Sequence, residues 1–180
     1  SSYAVEISSF EGDWISAAKK YKSWGTKQYW AKESRLKNGL TPDWLTKTAL
    51  WVWNRGESQN VLEQATDLKK LLDLPVSVLW HWWHNGSYDD SFPDYIPPRE
   101  GEKAFVTAVK RAKENDVNAI VYMNSIKWGN NMPSYYKENA EPFTVKEQNG
   151  ESKSFVYNIF TKKALTYMCM TTAFWKEKYG

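Results

Sequence analysis

Three short apolar runs, separated by helical stripes, constrain this chain more than any other feature. Thr48–Trp53 (TALWVW), Val76–Trp82 and Val117–Met123 (VNAIVYM) are dominated by Val, Ile, Leu and Trp, the residues that suit a pleated surface. The second run is almost free of polar interruption, as expected of a strand covered on both faces. Asn54-Arg55-Gly56 breaks the first run, and Val61, Leu62, Ala65, Leu68 and Leu72 then fall at helical spacing. Phe105, Ala108, Val109 and Ala112 repeat that stripe between the second and third runs. Each link exceeds the roughly dozen residues that a parallel crossover needs, and such crossovers are almost always right-handed. The expected fold class is therefore α/β: a partial (β/α)8 TIM barrel of about three βα units, ending before a barrel could close.

The flanking segments carry weaker signals. Residues Tyr3 to Phe10 alternate and are expected to form a strand, and Gly12-Asp13 should cap a helix with Trp14, Ala17, Ala18, Tyr21 and Trp24 on one face, stopped by Gly25. The expected division is thus 1–45, an N-terminal strand and linker helix, and 46–180, the first part of the barrel. A long polar loop is expected over His84 to Arg99. After Asn124 the chain runs through Trp128, Pro133 and Pro142, too far for a plain connector, so part of it should be structured. Asn149-Gly150, between Thr144–Lys146 and Ser154–Tyr157, predicts a β-hairpin insertion. A last helix is expected through Ala164, Leu165, Met168, Thr172 and Trp175, with Cys169 as a small buried apolar residue inside it.

Composition narrows the function classes. The chain has 180 residues, within the range of a single domain, and a formal charge of +3 from 24 basic and 21 acidic residues. No basic run is long enough to track a phosphate backbone, which argues against nucleic acid, and no stretch approaches the roughly 18 apolar residues of a membrane helix. No Gly-rich phosphate loop, nucleophile elbow or HExxH pattern gives the common cofactor and nucleophile classes a foothold, so no cofactor is expected. The excess is aromatic: 11 Trp and 11 Tyr. Their flat apolar faces and polar edges suit the two sides of a sugar ring, although most such rings in any domain are packing residues.

In parallel βα folds the ligand lies at the C-terminal ends of the strands. Those ends supply Trp53 and Arg55, then His81 and His84 with Tyr88, Asp89 and Asp90, then Asn124. His81 and His84 are three apart on a strand and face opposite ways, and no third His or Cys partner completes a metal set; a sugar-hydroxyl contact and a structural hydrogen bond both remain open. Asp89 and Asp90 can bind hydroxyls or serve an Asx-rich turn, and Arg55 can fork onto a ligand or lock strand-end carboxylates.

The run VSVLWHWWHNGSYDDSFPDYIPPREGEKAF, with ALWVWNRG before it and AIVYMN and ALTYMCMTTAFWKEKY after it, resembles the catalytic barrel of a large bacterial family of inferred glycosidases, formally a domain of unknown function. EGDWISAAKKYKSW is similar to the helix that leads from an N-terminal β-sandwich into the barrel in related retaining glycosidases. The resemblance implies a (β/α)8 barrel, an oligosaccharide or polysaccharide substrate, an extracellular or periplasmic location and hydrolysis by carboxylates. It also implies that those carboxylates come from strand four and later, beyond Gly180. By resemblance only a substrate-binding role is carried to Trp53, Arg55, His81, His84, Tyr88, Asp89, Asp90 and Asn124. The favoured expectation is a glycoside hydrolase portion that is inactive by itself; the alternatives are a free-standing carbohydrate-binding module and a structural domain whose rings are all core. An open sheet edge would favour a homo-oligomer.

Overall fold

The computed structural model of the chain describes residues 5–88, 91–124 and 127–157. The chain divides into two units, Ser1–Lys47 and Thr48–Gly180.

In the first unit the carboxylate of Asp13 accepts from the backbone N–H groups of Ile15 and Ser16, at 3.0 and 3.4 Å, and starts helix α1, Trp14–Gly25. The helix ends at Gly25 as expected, with Thr26 as its C-cap, the Thr26 hydroxyl donating to the Lys22 carbonyl at 2.8 Å. The glycine also serves packing. A Cβ there would meet the rings of Tyr21 and Trp30 at 3.4 Å, and Trp24 stands 5.3 Å from Tyr21 and 6.3 Å from Trp30. Two short helices follow, α2 (Tyr29–Lys32) and α3 (Asp43–Lys47). The strand expected over Tyr3–Phe10 is absent from residues 5–10, which are exposed and irregular. Alternation without a neighbouring strand leaves the ladder's donors and acceptors to water.

The second unit contains the expected βα rhythm. Strand β1 (Leu50–Arg55) leads through a π-helical turn at Gln59–Glu63 into α4 (Gln64–Leu72), then β2 (Val76–His81), α5 (Glu102–Glu114) and β3 (Asn118–Val121). The three strands form one parallel sheet in the order β1-β2-β3, with Arg55 opposite His81 and Val78 opposite both Val52 and Ala119. Val76, Val78 and Trp80 form the buried face of β2 and join a core with Val61, Leu62, Ala65, Phe105, Ala112 and Val117. Trp80 stacks on Phe105 at 5.3 Å and donates its ring N–H to the Gly56 carbonyl at 2.8 Å. Burying each such side chain contributes about 1.5–3 kcal/mol.

The loop after β2 departs from the polar connector expected over His84–Arg99. Trp83, His84, Ser91, Phe92, Tyr95 and Pro98 are buried, His84 bridges to Pro98, and Phe92-Pro93 and Ile96-Pro97 are cis. Aromatic residues scattered among polar ones extend the core here, since Trp83, Phe92 and Tyr95 belong to the same buried cluster as Trp80 and Phe105, and no helical or strand period reveals them.

The stretch after Asn124 is partly ordered into α6 (Pro133–Lys137) and a 3₁₀ turn at Glu141–Phe143. The hairpin forms as expected: β4 (Thr144–Lys146) pairs antiparallel with β5 (Ser152–Tyr157), and Gly150 takes the left-handed conformation in the turn. The last helix and Cys169 lie outside the described residues. Among the described residues no helix is long and apolar enough to cross a membrane.

Candidate functional site

Period-two alternation sorts the sheet into two faces. Opposite the helix-covered face lie Trp51, Trp53 and Arg55 of β1, Ser77, Leu79 and His81 of β2, and Asn118 and Ile120 of β3. Ser77 is buried and shares a 2.8 Å hydrogen bond with Thr48, but the β1 side of this face is open: Trp51, beside Ser77 in register, is 40 % exposed and Trp53 53 %.

His81 is the centre of a ring cluster at the C-terminal end of the sheet. Its imidazole lies 4.0 Å from the ring of Tyr122 at an interplanar angle of 10°, with Trp53 at 5.1 Å and Tyr88 at 6.4 Å. The guanidinium of Arg55 stands 5.1 Å from the centre of the Tyr88 ring. Tyr122 is placed by the sheet, its N–H donating to the Trp80 carbonyl at 2.9 Å. Its hydroxyl accepts from the Asn124 side-chain amide at 3.1 Å, and the amide oxygen of Asn124 accepts from the Lys127 N–H at 2.9 Å. Five residues anticipated from sequence, Trp53, Arg55, His81, Tyr88 and Asn124, thus belong to one connected set.

His84 is not part of it. It is wholly buried, edge-on to Phe92 at 5.5 Å and to Tyr95 at 5.7 Å, with Nδ1 3.2 Å from the Asn85 carbonyl. Of the two possibilities left open for it, its burial and its contact with the Asn85 carbonyl fit a structural hydrogen bond. Asp89 and Asp90 lie outside the described residues. Asp94, in the same loop, accepts from the Ser134 N–H at 3.1 Å, and Trp128 is buried with its ring N–H on the Ser134 hydroxyl at 2.8 Å.

Three contributors escaped sequence reasoning. Tyr122 had a signal, since alternation through Val117–Met123 puts it on the same face as Asn118 and Ile120. Tyr95 had none: its buried hydroxyl donates to the Asn124 carbonyl at 2.9 Å and accepts from the Asn124 N–H at 2.8 Å, a contact made across 29 residues. The third is Arg99 upon Trp82. Its guanidinium lies 3.8 Å from the Trp82 ring centre, its Nε donates to the Trp82 carbonyl at 3.2 Å and its Nη2 to the Gly86 carbonyl at 3.1 Å.

The C-terminal strand ends of this parallel sheet thus carry rings, an arginine and an amide. Comparison with known proteins identifies the group. A family described as a domain of unknown function, DUF6259, matches residues 1–180. The chain belongs to the DUF6259 family. Among curated proteins, this DUF6259 chain is 22% identical over 135 residues to a Bacteroides thetaiotaomicron protein named "Putative glycoside hydrolase", matching 75% of this chain and 19% of that protein. It is 22% identical over 158 residues to a similarly named protein of Monosiga brevicollis, matching 76% of this chain and 13% of that one. The chain therefore spans less than a fifth of the length of either relative. Among solved structures, a noncanonic maltogenic alpha-amylase, AmyB, from Thermotoga neapolitana superposes with a TM-score of 0.51 and 16% identity, over 76% of this chain and 38% of that one. That likeness is one of fold.

Proposed function

We propose that this chain supplies the first three βα units of a glycoside hydrolase barrel and that the ring cluster at its strand ends contacts the sugar substrate. The observation that carries the reading is the cluster itself: Trp53, Tyr88 and Tyr122 gathered around His81, with Arg55 and the Asn124 amide at its margin. Flat apolar rings beside fixed donors match the alternation of C–H faces and hydroxyls on a pyranose. The glycoside hydrolase names of the two relatives agree with it.

The chemistry would come from elsewhere in the barrel. Glycoside hydrolysis commonly uses two carboxyl groups about 5–9.5 Å apart, one donating a proton and one attacking or activating water. The strand-end positions here hold Arg55, His81 and Tyr122, none of which is a carboxylate. Their roles would be to bind and orient. The sheet favours this over a free-standing binding module, since β1 and β3 each leave one edge unpaired among the described residues.

Two measurements test the reading. The 180-residue chain should release no nitrophenol from a panel of aryl glycosides, and steady turnover would refute the inactive-portion account. In a full-length protein with measurable activity, Trp53→Ala should raise KM about tenfold with a smaller change in kcat, as expected when a platform binding ground state and transition state alike is lost. An unchanged KM would remove Trp53 from the site.

A further inference from the structure

The geometry points to Trp82 as the platform on which a sugar ring stacks, in a corner closed by Tyr88. This assignment rests on the carbohydrate reading above and adds to it a residue that the strand alternation leaves out.

Trp80, Trp82 and Trp83 lie almost side by side in the sequence, yet only Trp82 is not buried. Trp80 fills the sheet–helix core, and Trp83 is packed between Tyr95 and Phe105 with its ring N–H on the Tyr122 carbonyl at 2.9 Å. Trp82 is half-buried, and its backbone is left-handed, with φ +50°. The other non-glycine residues with positive φ among the described residues are Asp73, Asp116 and Asn139. Short Asp and Asn side chains tolerate that region; a bulky indole does not, and an outlier of this kind at the end of a strand motivates a functional reading.

The left-handed turn decides where the ring goes. Continued as a strand, Trp82 would follow Trp80 onto the helix-covered face. Instead its ring meets Tyr88 at 6.0 Å and 85°, and Tyr88 is the ring that also stands near His81 and under Arg55. The indole is held in place before any ligand arrives. Arg99 covers one face, the ring N–H donates to the Gly86 carbonyl at 2.9 Å, and Arg99 binds both that carbonyl and the Trp82 carbonyl. A ring fixed in this way loses little rotamer freedom on binding, which is what a stacking platform requires. Two aromatic walls at right angles, with the Arg55 donors beside one of them, would take a pyranose with its C–H face on the indole and its hydroxyls toward the guanidinium.

A purely structural role, in which the Trp82–Arg99 pair only pins the loop, predicts the same sugar affinity in every Trp82 variant that folds, and Trp82→Asn beside Trp82→Phe separates the two. Asparagine accepts the left-handed backbone and removes the ring. The full chain and its Trp82→Asn and Trp82→Phe variants would be titrated with maltohexaose, cellohexaose and xylohexaose by calorimetry, and melted without ligand. The expected result is that Trp82→Asn still unfolds in one transition, at a temperature lowered by the lost Arg99 and Gly86 contacts, and binds the preferred hexaose about tenfold more weakly, while Trp82→Phe keeps part of the affinity. Parental affinity in Trp82→Asn, or an affinity in Trp82→Phe as low as in Trp82→Asn, overturns the assignment. A parent chain that binds none of the three sugars fails earlier, at the carbohydrate reading, and takes the Trp82 assignment with it.

Discussion

Gly86 shows how closely the loop after β2 is fitted. Its φ is +99°, and a Cβ there would land on the Ser91 hydroxyl, which is itself buried and donates to the Ser87 carbonyl at 2.9 Å. Gly86→Ala should lower stability by about 1–3 kcal/mol, measured as a shift in the denaturant midpoint. Tyr95→Phe keeps the ring but leaves the Asn124 N–H and carbonyl without their shared hydroxyl. It should cost about 1–3 kcal/mol, with an unchanged denaturant slope. A third residue, Glu141, accepts from Lys146 and from Ser152, both at 3.1 Å, and these bonds hold its carboxyl below the usual glutamate range. A depressed folded-state pKa stabilises above the unfolded value, and that contribution disappears as pH falls through the folded value. The melting temperatures of the parent and Glu141→Gln should therefore differ near neutral pH and converge as pH falls below the ordinary carboxylate range. A difference that persists in acid would exclude this linkage. Burial acts in the opposite direction on the Tyr135 hydroxyl and raises its pKa above the ordinary phenol range.

Among the elements, α5 ties the sheet to the segment that follows β2. Phe105 stacks on Trp80 at 5.3 Å and meets Trp83 at 5.6 Å, so one residue of α5 ties the sheet and the loop after β2 within one core. Phe105→Ala should cost about 3–5 kcal/mol in a denaturant titration, the range for deleting a buried aromatic ring. A second tie joins the first and second βα loops: Glu100 accepts the Ser58 N–H at 2.8 Å and its hydroxyl at 2.9 Å. The strands and the α4 and α5 stripes were legible in the sequence because one side of each is buried at the period of its own backbone. The loop at 82–101 was not, because its order comes from contacts such as Arg99 on Trp82 and Tyr95 on Asn124, between residues 17 and 29 positions apart. The end of α1 at Gly25 was legible, but not that the space the glycine leaves is used by the rings of Tyr21 and Trp30.

For the whole molecule, the sheet presents more apolar surface than a three-stranded layer can hide. Trp51, Trp53 and Ile120 are exposed on the face away from the helices, and β3 has an unpaired edge among the described residues. Closing a parallel sheet into a barrel would cover both features. Expressed as 180 residues, the chain should self-associate, and light scattering across a dilution series would register a mass above the monomer that falls as concentration drops. A monodisperse monomer at high concentration would count against an open-sheet interface.

The sequence by itself determined the parallel α/β rhythm, the hairpin at Asn149-Gly150 and most of the strand-end residues, since hydrophobic period and turn chemistry are local properties of a chain. Only the tertiary structure decided that His81 and His84, three residues apart, part company. His81 enters the stack with Tyr122, and His84 is buried beneath a loop built of aromatic rings. It also set Trp82 against Arg99 and brought Tyr95 under Asn124. Those placements depend on which distant side chains share a volume, and no local period encodes that.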